Sequence, residues 1–116
     1  MNANELKTRI EEGEIDTVIV AIPDVFGRLV GKRFTSHFYL ESVAEHGTHG
    51  CNYLLTVNIE MDPMDGSKLA NWEAGFGDFA MRPDTSSVRI LPWQPGAALV
   101  ICDFVRDAGD YVLEAP

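Results

Sequence analysis

Asp65, followed by Gly66 and Ser67 and, seven residues on, by Trp72, is where the residue types come closest to a working site. A carboxylate just ahead of a glycine and a serine can present an anionic oxygen from a loop, and an indole nearby limits water. Together they suit a cationic group, held by charge at Asp65 and by the ring quadrupole of Trp72. Asp-Gly is also a common tight turn, and spacing alone favours the turn.

Other arrangements of reactive residues are incomplete. His37, His46 and His49 are the three histidines, and His46-Gly-Thr-His49 has no Cys or carboxylate at ligand spacing beside it. Histidines set against the dipole at a helix end account for them better. Gly66, Gly75 and Gly77 lack the lysine and the strand-to-helix setting of a phosphate-cradling loop. Ser67 has no local histidine, so a serine triad has little to draw on. Glu60, Asp62 and Asp78 read as a solvated acidic face rather than as metal ligands.

These residues sit in a long acidic and aromatic stretch, 61–84, carrying Trp72, Phe76 and Phe79 among its carboxylates. Connections beyond about 12–15 residues are uncommon in a compact domain and are usually functional or disordered. Disordered segments are poor in aromatics, so function is the better reading.

The elements that must hold such a loop are read from the pattern on either side. Asn2 and Glu5 have capping-box spacing for a helix over 3–12, with Leu6 and Ile10 on one face and Gly13 as its stop. From Thr17 the run Thr-Val-Ile-Val-Ala-Ile predicts a strand covered on both faces. Pro23-Asp24-Val25-Phe26-Gly27 is turn chemistry, and 28–35 is the return strand of a hairpin. Ser36 is placed to cap a helix running to His46, with Gly47 after it. Strands are predicted at 52–58, 78–82, 87–91 and 97–104, with proline-containing turns between the last three. The fold class is therefore α+β, a mostly antiparallel sheet with helices packed on one face.

The chain has 116 residues, enough for one domain. Its net charge of −9 argues against nucleic acid and against anionic membrane surfaces as partners. No run reaches the roughly 18 apolar residues of a membrane span, and the N-terminus lacks the features of a signal peptide. The expected location is cytoplasmic, with Cys51 and Cys102 as reduced thiols.

Four motifs, in order, resemble the N-terminal β-grasp domain of glutamine synthetases. Pro23-Asp24-x-x-Gly27-Arg28 is similar to that family's first hairpin turn. Asp65-Gly66-Ser67 with Trp72 resembles its Asp-Gly-Ser-Ser and tryptophan loop. Met81-Arg82-Pro83-Asp84-Thr85-Ser86 resembles its Met-Pro-Asp-x-Ser segment with one residue inserted. Pro92-Trp93 and Cys102-Asp103 fall where the family has its Pro-aromatic turn and last domain strand. The likeness runs from the first helix to about Tyr111.

The resemblance implies a β-grasp-like fold and an ATP-dependent ligase that joins ammonia or an amine to the γ-carboxyl of glutamate, using Mg²⁺ or Mn²⁺. It implies that Asp65 is catalytic, binding the ammonium or amine and helping to remove its proton, with Ser67 and Trp72 completing the pocket. It also implies that residues 1–116 form one N-terminal domain, inactive alone and without the C-terminal catalytic domain. The partners would be that catalytic domain and the neighbouring subunit of a homo-oligomeric ring, which receives the Asp65 loop. Lys68 stands where the family has a second serine, and that cation leaves the identity of the amine open. The alternative is a stand-alone β-grasp-like interaction module with no catalytic role.

Overall fold

The computed structural model describes residues 1–51 and 78–105. The strand predicted at 52–58 lies outside them. Helix α1 covers Ala3–Glu11, and the Asn2 side chain accepts from the Glu5 N–H at 2.9 Å. Leu6 and Ile10 are its buried residues. Gly13 closes it at φ 80°, where an L side chain would be strained. The Gly13 N–H donates to the Ile10 carbonyl and the Glu14 N–H to the Arg9 carbonyl, the two bonds of a Schellman end.

Strands β1 (Thr17–Pro23) and β2 (Leu29–Thr35) form the expected antiparallel hairpin. A second helical segment follows. It consists of an α-helical turn Ser36–Phe38, a π-helical stretch Tyr39–Val43 and a last α-helical turn Ala44–His46. Its cap is Thr35 rather than the expected Ser36: Thr35 Oγ1 accepts from the Phe38 N–H, while Ser36 is buried. The wider π turn keeps Tyr39 and Val43 both in the core.

Beyond Gly47 lies a strand the pattern did not predict, β3 (Thr48–Cys51), which pairs antiparallel with β4 (Asp78–Pro83). A short 3₁₀ turn, Thr85–Ser87, leads to β5 (Arg89–Ile90), shorter than the predicted 87–91. The last described strand is β6 (Ala97–Val105). The sheet order is β2-β1-β6-β4-β3, with β5 beside the first half of β6.

One pairing sets the architecture. β1 and β6 run parallel, Thr17 opposite Ala97 through Ala21 opposite Ile101, while every other described pair is antiparallel. Parallel neighbours need a long crossover, and here the connection spans most of the chain. Val18, Val20, Ala98 and Val100 of the two central strands are fully buried. They join Leu6, Ile10, Tyr39, Val43, Met81 and Phe104 in one core cluster. This is the α+β, β-grasp-like arrangement: a mostly antiparallel sheet with a central parallel pair and few helices.

Candidate functional site

The registers fix which loops share an end of the sheet. β1 and β6 are parallel, so they leave the sheet together. β4 runs against β6 and enters at that same end, and β3 runs against β4 and leaves there. Cys51 pairs with Asp78, and these two residues are the described edges of segment 52–77. The β1–β2 turn lies at this end too.

Asp65, Ser67 and Trp72 fall within 52–77, outside the described residues. What is described at this end is the turn 24–28, and its centre is a charge. The Asp24 side chain is 1% exposed. Its Oδ1 accepts from the Phe26 N–H at 2.8 Å and the Arg28 N–H at 2.9 Å, and its Oδ2 accepts from Arg28 Nε at 2.8 Å. The Asp24 N–H donates to the Arg28 carbonyl and the Gly27 N–H to the Asp24 carbonyl, closing the turn in both directions. Gly27 sits at φ 82°, the left-handed position that such a turn requires.

Burial by itself raises the Asp24 pKa. The amides of Arg28 and Phe26 and the Arg28 guanidinium outweigh it and hold the carboxyl below its ordinary value. The sequence showed a turn here but not a buried carboxylate. The available signal was an acid four residues ahead of an arginine, with glycine between them.

Turned inward, Asp24 leaves the apolar members of the turn outside. Val25, Phe26 and Leu29 are 45%, 50% and 51% exposed, and the Arg28 guanidinium lies 5.4 Å from the Phe26 ring centroid.

The Met81–Ser86 motif is also structural where it is described. Asp84 Oδ1 accepts from the Ser86 hydroxyl at 2.6 Å and the Ser86 N–H at 3.0 Å, and these bonds lower its pKa. Ser87 Oγ donates to the Asp84 carbonyl at 2.6 Å and accepts from the Ile101 N–H at 2.8 Å, bridging to β6 between the end of β4 and the start of β5. Trp93 of the Pro-aromatic turn is 77% exposed.

Among the described residues the remaining polar groups form no catalytic pair. Burial pushes the Cys102 thiol up to about 12, and burial with the neighbouring Cys102 pushes the Tyr39 hydroxyl up to about 12. Both therefore keep their protons at neutral pH. His46 ends the helix beside Glu45, but His49 lies in β3, so the expected placing of the histidines at a helix end fails for it. Among the described residues no three His, Cys, Asp or Glu side chains are grouped to hold a metal ion. An open polar groove of about 460 Å³ runs along α1, lined by Asn2, Glu5, Arg9, Glu12 and Glu14 among others. Among the described residues no helix is long and apolar enough to cross a membrane.

No family model matches the chain. It is 47% identical, over all of its 116 residues, to the gamma-glutamylethanolamide synthetase GlnA4 of Streptomyces coelicolor, and covers 25% of that protein. It is 34% identical over 107 residues to a glutamate–isopropylamine ligase of a Pseudomonas species, covering 90% of this chain and 23% of the relative. It is 28% identical over 111 residues to type-1 glutamine synthetase 2 of Dictyostelium discoideum, covering 95% and 21%. The chain thus spans about a quarter of the length of the curated relatives it matches. Its fold is similar to that in a GmaS/ADP complex, with a TM-score of 0.66 at 18% identity over 91% of this chain and 21% of that one.

Proposed function

Since this chain belongs to the glutamine synthetase family, we propose that it is the N-terminal domain of an ATP-dependent ligase that joins a primary amine to the γ-carboxyl of glutamate. The observation that carries this reading is 47% identity over the whole chain to a gamma-glutamylethanolamide synthetase. Identity of 34% to a glutamate–isopropylamine ligase points the same way, toward an organic amine rather than ammonium. The glutamine-synthetase motifs and the β-grasp-like topology support it. Lys68, in place of a second serine, marks the loop as altered.

In this reading the catalytic domain lies outside residues 1–116, and these residues alone do not turn over. ATP and Mg²⁺ or Mn²⁺ belong to the full-length enzyme and supply the activation of the carboxyl. The described residues offer no metal-binding cluster, so no step is assigned to a metal here. Asp65 is the residue of this chain assigned to the chemistry. Its carboxylate attracts the protonated amine and takes a proton from it, leaving the lone pair free to attack. Trp72 covers the cation and Ser67 supports the loop. The site is completed against a neighbouring subunit of a homo-oligomeric ring.

The test is γ-glutamyl ligation by the full-length protein, with ammonium, ethanolamine and isopropylamine compared at equal concentration. Turnover with an organic amine above that with ammonium is expected. No ATP-dependent ligation with any of them removes the reading. Asp65→Ala should lower kcat/KM by about 10²-fold or more with assembly unchanged. Unaltered turnover in that variant removes Asp65 from the site. Lys68→Ser should shift the preference toward ammonium.

A further inference from the structure

The turn 24–28 shares its end of the sheet with Cys51 and Asp78, the described edges of segment 52–77. Along the strands the turn and the start of β4 are nearly level. Ala21 of β1 stands opposite Ile101, and the turn begins at Asp24 just beyond it; on the far side of β6, Phe104 stands opposite Met81 of β4. Across the sheet, β6 alone separates β1 from β4. Neighbouring strands lie about 4.8 Å apart, so the head of the turn is of the order of 10 Å from the start of β4.

What the turn offers at that end is apolar. Val25, Phe26 and Leu29 are each about half exposed, while Asp24 is turned inward. The Arg28 guanidinium lies 5.4 Å from the Phe26 ring centroid and is bonded by the Asp24 carboxylate. That pair carries no net charge, so a cation that comes up to the turn is not driven off by Arg28. The bonds of Asp24 to the Phe26 and Arg28 amides hold the backbone in place beforehand, and contact there costs little ordering. Ammonium and a protonated primary amine present the same charge and differ in carbon. A site that separates them must gain from the carbon, and each methylene buried against an apolar wall is worth about fourfold in affinity.

We propose that the turn 24–28 sets the amine specificity of the ligase, with Phe26, flanked by Val25, packing against the carbon substituent of the acceptor amine. This assignment rests on the ligase reading, and every residue in it is a described one.

Steady-state ligation by the full-length protein with ammonium, ethanolamine, propylamine and isopropylamine tests it. The readout is the ratio of kcat/KM for the preferred organic amine to kcat/KM for ammonium. Phe26→Ala should lower that ratio about tenfold, chiefly by raising KM for the organic amine. Phe26→Leu, which keeps an apolar side chain, should hold most of the parent ratio. Val25→Ala should lower it about threefold, and carries the test alone should Phe26→Ala not fold. A merely structural role would lower kcat/KM for every amine in equal proportion, and that result overturns the proposal. An unchanged ratio in the folded variants overturns it too. In both cases ligation of an organic amine by the parent leaves the ligase reading standing. A parent that uses ammonium alone overturns the proposal and the choice of an organic amine together. No ligation of any amine by the parent removes the ligase reading, and the specificity assignment with it.

Discussion

Two turns of this domain are each opened by an aspartate, and they are built in opposite ways. At 24–28 the carboxylate points inward, is 1% exposed, and bonds two amides and a guanidinium while apolar side chains face outward. At 84–87 the Asp84 side chain is exposed and among the described residues bonds Ser86 alone, and the strands are tied together by the neutral hydroxyl of Ser87. The difference shows that an aspartate at a turn says little until its burial is known. When buried, the acid is what the turn closes around. When exposed, it is a cap that solvent can replace.

The sharpest way to break this contrast is Asp24→Ala. It leaves the Phe26 and Arg28 amides without their acceptor and the Arg28 guanidinium without its bond to Asp24, at a turn only partly open to water. A fall in thermal midpoint of the order of 10 °C is expected, more than for any single change at 84–87. Acid titration sharpens it further. The folded pKa of Asp24 lies below its ordinary value, so its contribution is full above the unfolded pKa and is lost as pH falls through the folded one. Asp24→Asn should therefore be less stable than the parent at neutral pH, with the gap narrowing below about pH 4. A constant gap from pH 7 to pH 2 in urea unfolding would mean that the charge is not what stabilises the turn.

How much of this was legible beforehand differs along the chain. Helix α1, its Asn2 cap, its Gly13 stop and the hairpin were readable because local signals decide them: capping spacing, β-branched runs and turn residues. The parallel β1–β6 pair was not, since no local property of Thr17–Pro23 names a partner near the end of the chain. The burial of Asp24 was missed although its partners are local, Phe26 and Arg28 of the same turn. Strand β3 was missed because its four residues, Thr48–Cys51, follow Gly47 and include Gly50, and its formation depends on pairing with β4. Ser36 lost the cap to Thr35 because the core took its side chain. The candidate site was legible in a different sense. Asp65, Ser67 and Trp72 were found as a motif, and the strand registers locate the edges of their segment at the end of the sheet that carries the 24–28 turn.

An intermediate effect is expected at the other turn, from Ser87→Ala. Ser87 Oγ is the acceptor for the part-buried Ile101 N–H and a donor to the Asp84 carbonyl. Its loss leaves the Ile101 amide without that partner between β5 and β4, at a cost of about 1–2 kcal/mol in chemical denaturation. Ser87→Thr keeps the hydroxyl and should recover part of it. A silent Ser87→Ala would mean that the ladder on either side holds β6 without the bridge.

Asp84→Ala should then do least. Its bonds to Ser86 join two groups that are both exposed, and water takes the place of either when the other is removed. The lowered pKa of Asp84 comes first from the Ser86 hydroxyl and then from the Ser86 amide, with burial opposing both. Stability linked to this group is present above the unfolded pKa and fades as pH falls through the folded one, the same sign as at Asp24. Solvent screening makes its size small. The parent and Asp84→Ala should accordingly melt within a few degrees of each other at pH 7 and nearly together at pH 3. If Asp84→Ala instead matched Asp24→Ala in both midpoint and acid dependence, exposure would not be what separates the two turns. The 3₁₀ turn would then have to be credited with holding β4 and β5 in register through its carboxylate.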